Sequence, residues 1–360
     1  MAVITQGNSQ FTDIAASDWP MNAWYVAAWD HEVGRNLRSC NVAGRPVVVY
    51  RTTTGKPVAL ADACWHRLVP LSIGKLCGDE VQCGYHGIRY DQDGKCTFMP
   101  AQETINPSAS VHSYPTVERH RFIWVWPGNP ALADPSLIPD LHTNDDPEWA
   151  GDGEVIGVDA GYQLVLDNLM DLTHEEFIHT SSIGNEHLSI APFETSHSGN
   201  SVTVTRWMRD IPAPPLWQYM LNIKFPGYEG HVDRWQIINY MAPSTIALDV
   251  GVAIAGTGAP EGDRSQGVNC FVLHTMTPTG PKACNYHWAI TRNFALDKQR
   301  VTNELRRGVA NVFFEDETML NAQQVAIDAN PGYDFYNLNI DAGGMWVRRI
   351  IEKMIAEERQ

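Results

Sequence analysis

The sequence predicts an α+β protein: an all-β domain over residues 21–130, then an α+β domain, an antiparallel sheet with helices, over 131–360. Three observations predict it. From Met21 to Trp126 the apolar residues come in short strand-like runs, PVVVY (46–50), PVAL (57–60) and FIWVW (122–126). Asp91-Gln92-Asp93-Gly94 reads as a tight turn between strands, and Pro127-Gly128 ends the last run. The segment GNPALADPSLIPD (128–140) is proline-rich and reads as a linker. Beyond it the patterns mix. Residues 201–207, 234–241 and 246–254 alternate or run apolar like strands. Gln163 to His179 and Leu305 to Val325 have helical periodicity. A last helix is expected after Gly343-Gly344, with Val347, Ile350, Ile351, Met354 and Ile355 on one face. Residues 1–20 read as a poorly ordered polar extension.

Composition narrows the function. Hydrophobic residues are 44% and charged residues 19%, the balance of a soluble globular chain with a real core. Twelve Trp suggest an aromatic-lined interior. A net charge of −16 argues against nucleic acid and against an anionic membrane surface. The seven Cys are an odd set in a long chain, which disfavours a secreted disulfide framework. The N-terminus shows no basic region followed by an apolar one, and no stretch approaches ~18 apolar residues. The reading is cytoplasmic, with reduced cysteines available for metals or catalysis.

Two clusters carry the chemistry. CWHRLVPLSIG (64–74) and CGYHG (83–87) each supply one Cys and one His. A [2Fe–2S] Rieske centre needs two thiolates on one iron and two imidazoles on the other. Cys64, His66, Cys83 and His86 meet that need, and Gly84 and Gly87 would let backbone approach the cluster. The competing reading is a Cys₂His₂ zinc site, whose spacings more often pair Cys with Cys and His with His. Cys77 lies between the clusters and reads as a buried thiol.

The second cluster is DNLMDLTHEEFIH (167–179). His174 and His179 are five apart, which on an ideal helix turns the second ring about 140° from the first. The helix must therefore end or distort near Glu175–Ile178, as at a π-bulge, if both bind one metal. Asp167, Asp171 and His174 would share one helical face. Two His and a carboxylate form the facial triad of non-haem Fe(II) oxygenases. Asp167, Asp171, Glu175 and Glu176 are nearby carboxylates. Asp316 is the better candidate: it falls on the apolar face of Val309, Val312, Phe313, Met319 and Leu320, where a lone Asp is costly unless paired or metal-bound. Glu315 and Glu317 should point away. The bland alternatives are a solvated acidic face for 167–179 and a hydrogen-bonded buried Asp at 316.

These residues resemble the Rieske non-haem iron oxygenases. The C-x-H…C-x-x-H box resembles their cluster signature, and Asp171, His174 and His179 resemble their D-x-x-H-x-x-x-x-H motif. MNAWYVAAW (21–29), FIWVWPG (122–128), VDRWQI (232–237) and NLNIDAGG (337–344) resemble the aromatic O-demethylases of the vanillate type, over about residues 21–356. One departure is Trp65, where that group commonly has Pro after the first Cys.

The resemblance implies a [2Fe–2S] cluster and an Fe(II) held by His174, His179 and Asp316. It implies catalytic roles for Asp171 and Asn168, with Asp171 bridging to His86 of a neighbouring subunit in a homotrimer. It implies O₂ and a small aromatic substrate, most simply vanillate, demethylated to protocatechuate and formaldehyde. His274 matches a substrate-contacting position, although a His satisfied within a strand is as good a reading. Arg206 and Arg234 are possible carboxylate partners or ordinary ion pairs. GTGAPEG (256–262) also resembles aryl-sulfonate methyl hydroxylases, which keeps another methoxy- or methyl-substituted acid or sulfonate in view. The readings of other classes are a Rieske electron carrier, which needs no His174/His179/Asp316 set, and a zinc-stabilised binding protein. No flavin or nicotinamide fingerprint occurs, so a separate flavin/[2Fe–2S] reductase must deliver electrons.

Overall fold

The computed structural model describes residues 18–360. The extension expected at 1–20 lies outside the described residues as far as position 17. The α+β class holds, with two compact units. One is formed by the residues up to Ile138 with Glu352–Gln360, the other by Pro139–Ile351.

Up to Ile138 the first unit is built on three antiparallel sheets joined by loops and 3₁₀ turns. β1 (Tyr25–Trp29), β10 (Thr116–Arg119) and β11 (Phe122–Val125) form one antiparallel sheet. β2 (Arg38–Val42), β3 (Arg45–Arg51), β4 (Pro57–Ala61) and β9 (Ser113–Tyr114) form a second. β5 (Lys75–Cys77), β6 (Glu80–Gln82), β7 (Arg89–Tyr90) and β8 (Cys96–Phe98) form a third. Val47, Val48, Val49 and Tyr50 are all fully buried, so PVVVY is apolar throughout rather than alternating. The turn at 91–94 forms as expected. Asp91 Oδ1 accepts from the Asp93 and Lys95 amides, and Gly94 takes φ +77°, where a Cβ would stand 2.1 Å from the Val111 carbonyl. Residues 128–140 are more ordered than a plain linker. They make two 3₁₀ turns, Pro130–Leu132 and Pro135–Leu137, capped by the side chains of Asn129 and Asp134. The chain end returns here: Glu358 accepts from the Met21 and Asn22 amides.

The second unit is built on one antiparallel sheet of seven strands. They are β12 (Ala150–Val158), β13 (Phe193–Ser198), β14 (Ser201–Ile211), β15 (Val232–Met241), β16 (Thr245–Ile254), β17 (Gly267–Gly280) and β18 (Ala283–Arg292), in the order β12-β18-β17-β16-β15-β14-β13. α1 (Tyr162–Met170), α3 (Pro215–Lys224) and α4 (Gln299–Ala329) pack on it. Two segments separate α1 from β13: a 3₁₀ turn at Leu172–His174 and the short α2 (Glu175–Ile178). α5 (Ala342–Glu358) closes the chain.

Several expectations are corrected here. The helix read over 163–179 breaks at Asp171, which is extended (φ −131°, ψ 109°), and stops before His179 (φ −104°, ψ 36°). So the two His are brought together by a break and an end, with no π-bulge, and Asp167, Asp171 and His174 do not share one helical face. Met319 is 52% exposed and leaves the buried face of α4, which runs Val309, Val312, Phe313, Asp316, Leu320. α5 begins at Ala342, so Gly343 and Gly344 lie inside it. A Cβ on Gly343 would stand 2.7 Å from Val204, so these glycines let the helix pack closely. β12, β13, β17, β18 and α3 were not read from the sequence. β17 and β18 bury Thr, His and Arg among their apolar residues, which erases the alternation.

Candidate metal centres and active site

The first centre lies on two loops of the first unit. Cys64 N–H donates to Val69 O (2.9 Å) and Leu68 N–H to Cys64 O (2.8 Å). Cys83 N–H donates to Ile88 O (2.8 Å) and Gly87 N–H to Cys83 O (3.0 Å). The two loops thus repeat one hydrogen-bond pattern. In one, Leu68 takes the left-handed conformation (φ +58°) that Gly87 takes in the other (φ +75°). Both thiols are buried, in the core of Val48, Leu60, Leu71 and Val81. The His66 and His86 rings stand 4.7 Å apart, both residues exposed. Tyr90 O–H lies 3.2 Å from Cys64 Sγ and accepts from the Trp65 amide. Burial pushes the Cys64 thiol up, against the Tyr90 hydrogen bond. Two thiols inside and two rings outside match a donor set divided between two metals better than one tetrahedral ion. Cys77 is only half-buried and donates to Gln82 Oε1 (3.0 Å), a correction to the buried-thiol reading.

The second centre is in the second unit. Ligand atoms of His174, His179 and Asp316 all lie within 4.8 Å of one another. His174 comes from the 3₁₀ turn, His179 from the end of α2, and Asp316 from the middle of α4. His174 Nδ1 donates to Asp171 O (2.8 Å), and His179 Nδ1 donates to Glu315 Oε2 (2.6 Å). Each ring therefore turns Nε2 inward, where the neutral ring would offer a lone pair to a metal. These nitrogens stand 3.4 Å and 3.2 Å from Asp316 Oδ1. His179 Nε2 is buried and faces that oxygen. Two ring nitrogens and a buried carboxylate that converge in this way are a donor set that fits a divalent metal. Burial alone would depress His179, but Asp316, Glu315 and Glu175 outweigh it and carry the ring up to about 9. Asn168 Nδ2 donates to Asp316 Oδ1 (3.2 Å) and so steers that carboxylate.

The other nearby carboxylates are engaged elsewhere. Asp167 pairs with Arg348. Glu175 accepts from Arg234 (2.7 Å) and Gln236 (2.9 Å). Glu176 accepts from the Ser189 amide. Asp171 Oδ1 accepts from Thr173 and lies 3.5 Å from Arg206. It is the Asp171 carbonyl, not its carboxylate, that orients His174. Arg206 and Arg234 form buried ion pairs that clamp this segment, through Asp171 and Thr173 and through Glu175. Glu315 is a further correction: rather than pointing away, it meets His179. No pattern in the sequence signals this contact, because the bond depends on where α2 ends.

The centre opens on a cleft of about 630 Å³, counting its mouth. Its walls are mainly apolar, among them Leu248, Val250, Val272 and Phe313. His274, on β17, lines it and bonds the Tyr286 hydroxyl through Nδ1 (2.5 Å). Burial drives His274 down to about 3, so the ring is neutral.

Residues 23–115 match the Rieske [2Fe-2S] domain, and residues 158–357 match the vanillate O-demethylase oxygenase C-terminal domain. The second match alone spans more than half of the chain. The chain belongs to the vanillate O-demethylase oxygenase family. It is therefore an oxidoreductase of the Rieske oxygenase type. The vanillate O-demethylase oxygenase subunit of Pseudomonas sp. (strain HR199 / DSM 7063) is 38% identical, over 95% of this chain and 96% of that one. A toluene-4-sulfonate monooxygenase system iron-sulfur subunit of Comamonas testosteroni is 36% identical, over 94% and 97%. Dicamba monooxygenase bound to 3,6-dichlorosalicylic acid superposes with a TM-score of 0.87 at 31% identity, covering 94% of this chain and 98% of that one. The same enzyme with non-heme iron and dicamba gives 0.80 at 32%, with the same coverage. No helix among the described residues is long and apolar enough to cross a membrane.

Proposed function

We propose that this Rieske oxygenase component O-demethylates vanillate to protocatechuate and formaldehyde, using O₂ and electrons from a separate NAD(P)H-dependent flavin/[2Fe–2S] reductase. The observation that carries the reading is the His174/His179/Asp316 set facing an apolar, ring-sized cleft with His274 on its wall. An electron carrier needs neither the set nor the cleft. His174, His179 and Asp316 would hold the iron. Cys64 and Cys83 would hold one cluster iron, and His66 and His86 the other. When bound, the two groups supply electron delivery and oxygen activation. The residues do the rest. Apolar walls exclude water and hold the ring, and His274 meets a polar substituent. Asn168 and the Asp171 carbonyl fix Asp316 and His174. In the net reaction one oxygen atom enters a methyl C–H bond and the other leaves as water. The hemiacetal then collapses to phenol and formaldehyde.

Residues 21–130 would serve as the electron-supplying domain and 131–360 as the catalytic one. We place the active unit as a homotrimer in the cytoplasm, a location that seven free cysteines suit. Asp171 would join the centres by accepting from His86 of a neighbouring subunit. Its Oδ2 accepts no hydrogen bond among the described residues, which leaves it for such a ring. The second reading keeps the chemistry and changes the substrate to another methoxy- or methyl-substituted aromatic acid or sulfonate. The toluene-4-sulfonate relative favours it. The test is NADH-dependent turnover, with reductase supplied, of vanillate, other methoxybenzoates and toluene-4-sulfonate. Formaldehyde release fastest from vanillate supports the first reading. Turnover of the sulfonate without formaldehyde from vanillate moves the assignment to the second.

A further inference from the structure

The polar atoms of the cleft wall divide into two sets. Those of His174, His179 and Asp316 belong to the metal set, and those of Glu175 are held by Arg234 and Gln236. Outside that set, Trp217 Nε1, Arg234 Nε and His274 Nε2 are buried and make no hydrogen bond among the described residues. Trp217 and Arg234 can only donate from these atoms. His274 can donate or accept there, depending on which ring nitrogen carries the proton.

Tyr286 decides that. β17 and β18 pair His274 with Trp288 and Met276 with Tyr286, so His274 and Tyr286 are diagonal neighbours on one face of the sheet. Their rings are nearly parallel, with centroids 5.8 Å apart, and Phe313 packs edge-on to His274. Both side chains are buried, and both are neutral: burial depresses the His274 ring and lifts the Tyr286 phenol well above its ordinary value. The Tyr286 hydroxyl has no second hydrogen-bond partner among the described residues. Suppose Nδ1–H donated to the phenol oxygen. The phenol proton would then be buried without an acceptor. If the phenol donates to Nδ1, every proton of the pair is used except Nε2–H, which faces the cleft. An unmade buried donor is the costlier outcome, so the second arrangement prevails.

We propose that Tyr286 is a positioning residue that locks His274 as the Nε2–H tautomer, so that the cleft offers this N–H to an acceptor oxygen of the aromatic substrate. The proposal rests on the reading that His274 meets the substrate. With it, the three unpartnered groups on the wall outside the His174/His179/Asp316 set are all donors. The cleft then suits a head that only accepts, such as a carboxylate or sulfonate, and rejects an ammonium or an amide N–H.

Two measurements test it. The first is long-range ¹H–¹⁵N correlation on protein labelled at histidine, with the cluster oxidised and Zn(II) at the mononuclear site. The expected result is an Nε2–H, Nδ1-unprotonated signal that is absent in His274→Asn and whose Nδ1 shift moves in Tyr286→Phe. An Nδ1–H tautomer for His274 in the unaltered protein overturns the lock. The second is anaerobic calorimetric binding of vanillate, toluene-4-sulfonate and toluene to the holoenzyme. Tyr286→Phe should weaken the two oxyanions about 5–30-fold and leave toluene within about twofold. Equal weakening of all three indicates a merely structural role and overturns the proposal. Oxyanion binding weakened by His274→Asn but not by Tyr286→Phe also overturns it. Unchanged oxyanion binding in His274→Asn instead removes His274 from the substrate site, a failure of the underlying reading that the tautomer measurement separates from failure of the lock.

Discussion

Replacing Glu175 with Gln should be among the most damaging single changes outside His174, His179 and Asp316 themselves. Glu175 is 4% exposed and Arg234 1%, and they meet at 2.7 Å. Gln236 Nε2 donates to the other carboxylate oxygen at 2.9 Å, and Arg234 also donates to Ile183 O. The introduced amide would keep the Gln236 bond but leave a buried guanidinium without its counter-charge, at a cost of about 3–5 kcal/mol. For a unit of roughly 200 residues each kcal/mol shifts the midpoint by about 2–4 °C, so the catalytic unit should melt about 6–20 °C earlier. Glu175 also opens α2 and its carbonyl accepts from the His179 amide (3.1 Å), so iron per protomer should fall with stability. The double variant Glu175→Gln/Arg234→Met removes the stranded charge and should recover at least half of the lost stability. Scanning calorimetry and metal analysis read both effects. A single variant melting within about 2 °C of the parent, or a double variant no better than the single, would refute the view of the pair as the clamp on this segment.

Asp316→Ala should lose mononuclear iron and turnover but keep the visible cluster spectrum, since the two centres draw on separate residues; a variant that turns over normally sinks the ligand assignment. Glu315→Gln should weaken mononuclear metal binding about 10–100-fold while the cluster is unaffected, because the His179 ring loses its charged acceptor; competition with a chelator reads it, and unchanged affinity counts against the contact. Metal uptake by the iron-free protein at about pH 7 should release about one proton from His179, because this ring titrates at about 9 and must be neutral to bind. The charged ring stabilises the iron-free protein fully below about 6.5 and loses that contribution as pH rises through about 9; proton competition at the same ring should make metal affinity climb with pH up to about 9 and then level off. Calorimetry in two buffers of different ionisation enthalpy counts the proton, and identical heats would contradict the raised value. Asp171→Asn should retain both metals and the oligomer yet lose most turnover; rapid-mixing oxidation of the cluster at the parent rate would exclude the bridge.

What the sequence determined by itself is what short loops and helix periodicity encode. Each of the two loops carries its own Cys and His within four residues, and its hydrogen bonds close within six, so spacing alone exposes the pair. Asp316 was legible because a carboxylate repeating with Val309, Val312 and Leu320 contradicts burial unless something binds it. What only the tertiary structure decided depends on where chains meet. The break at Asp171 is set by its side chain capping Thr173 and by Arg206 and Arg234 reaching in from β14 and β15, none of which a 3.6-residue period registers. The same holds for Glu315, whose adjacency to Asp316 pointed it outward on paper until α2 ended at its tip. It holds most for His274, since Nδ1 and Nε2 are chemically alike in the sequence, and only the β17–β18 register places a phenol against one of them.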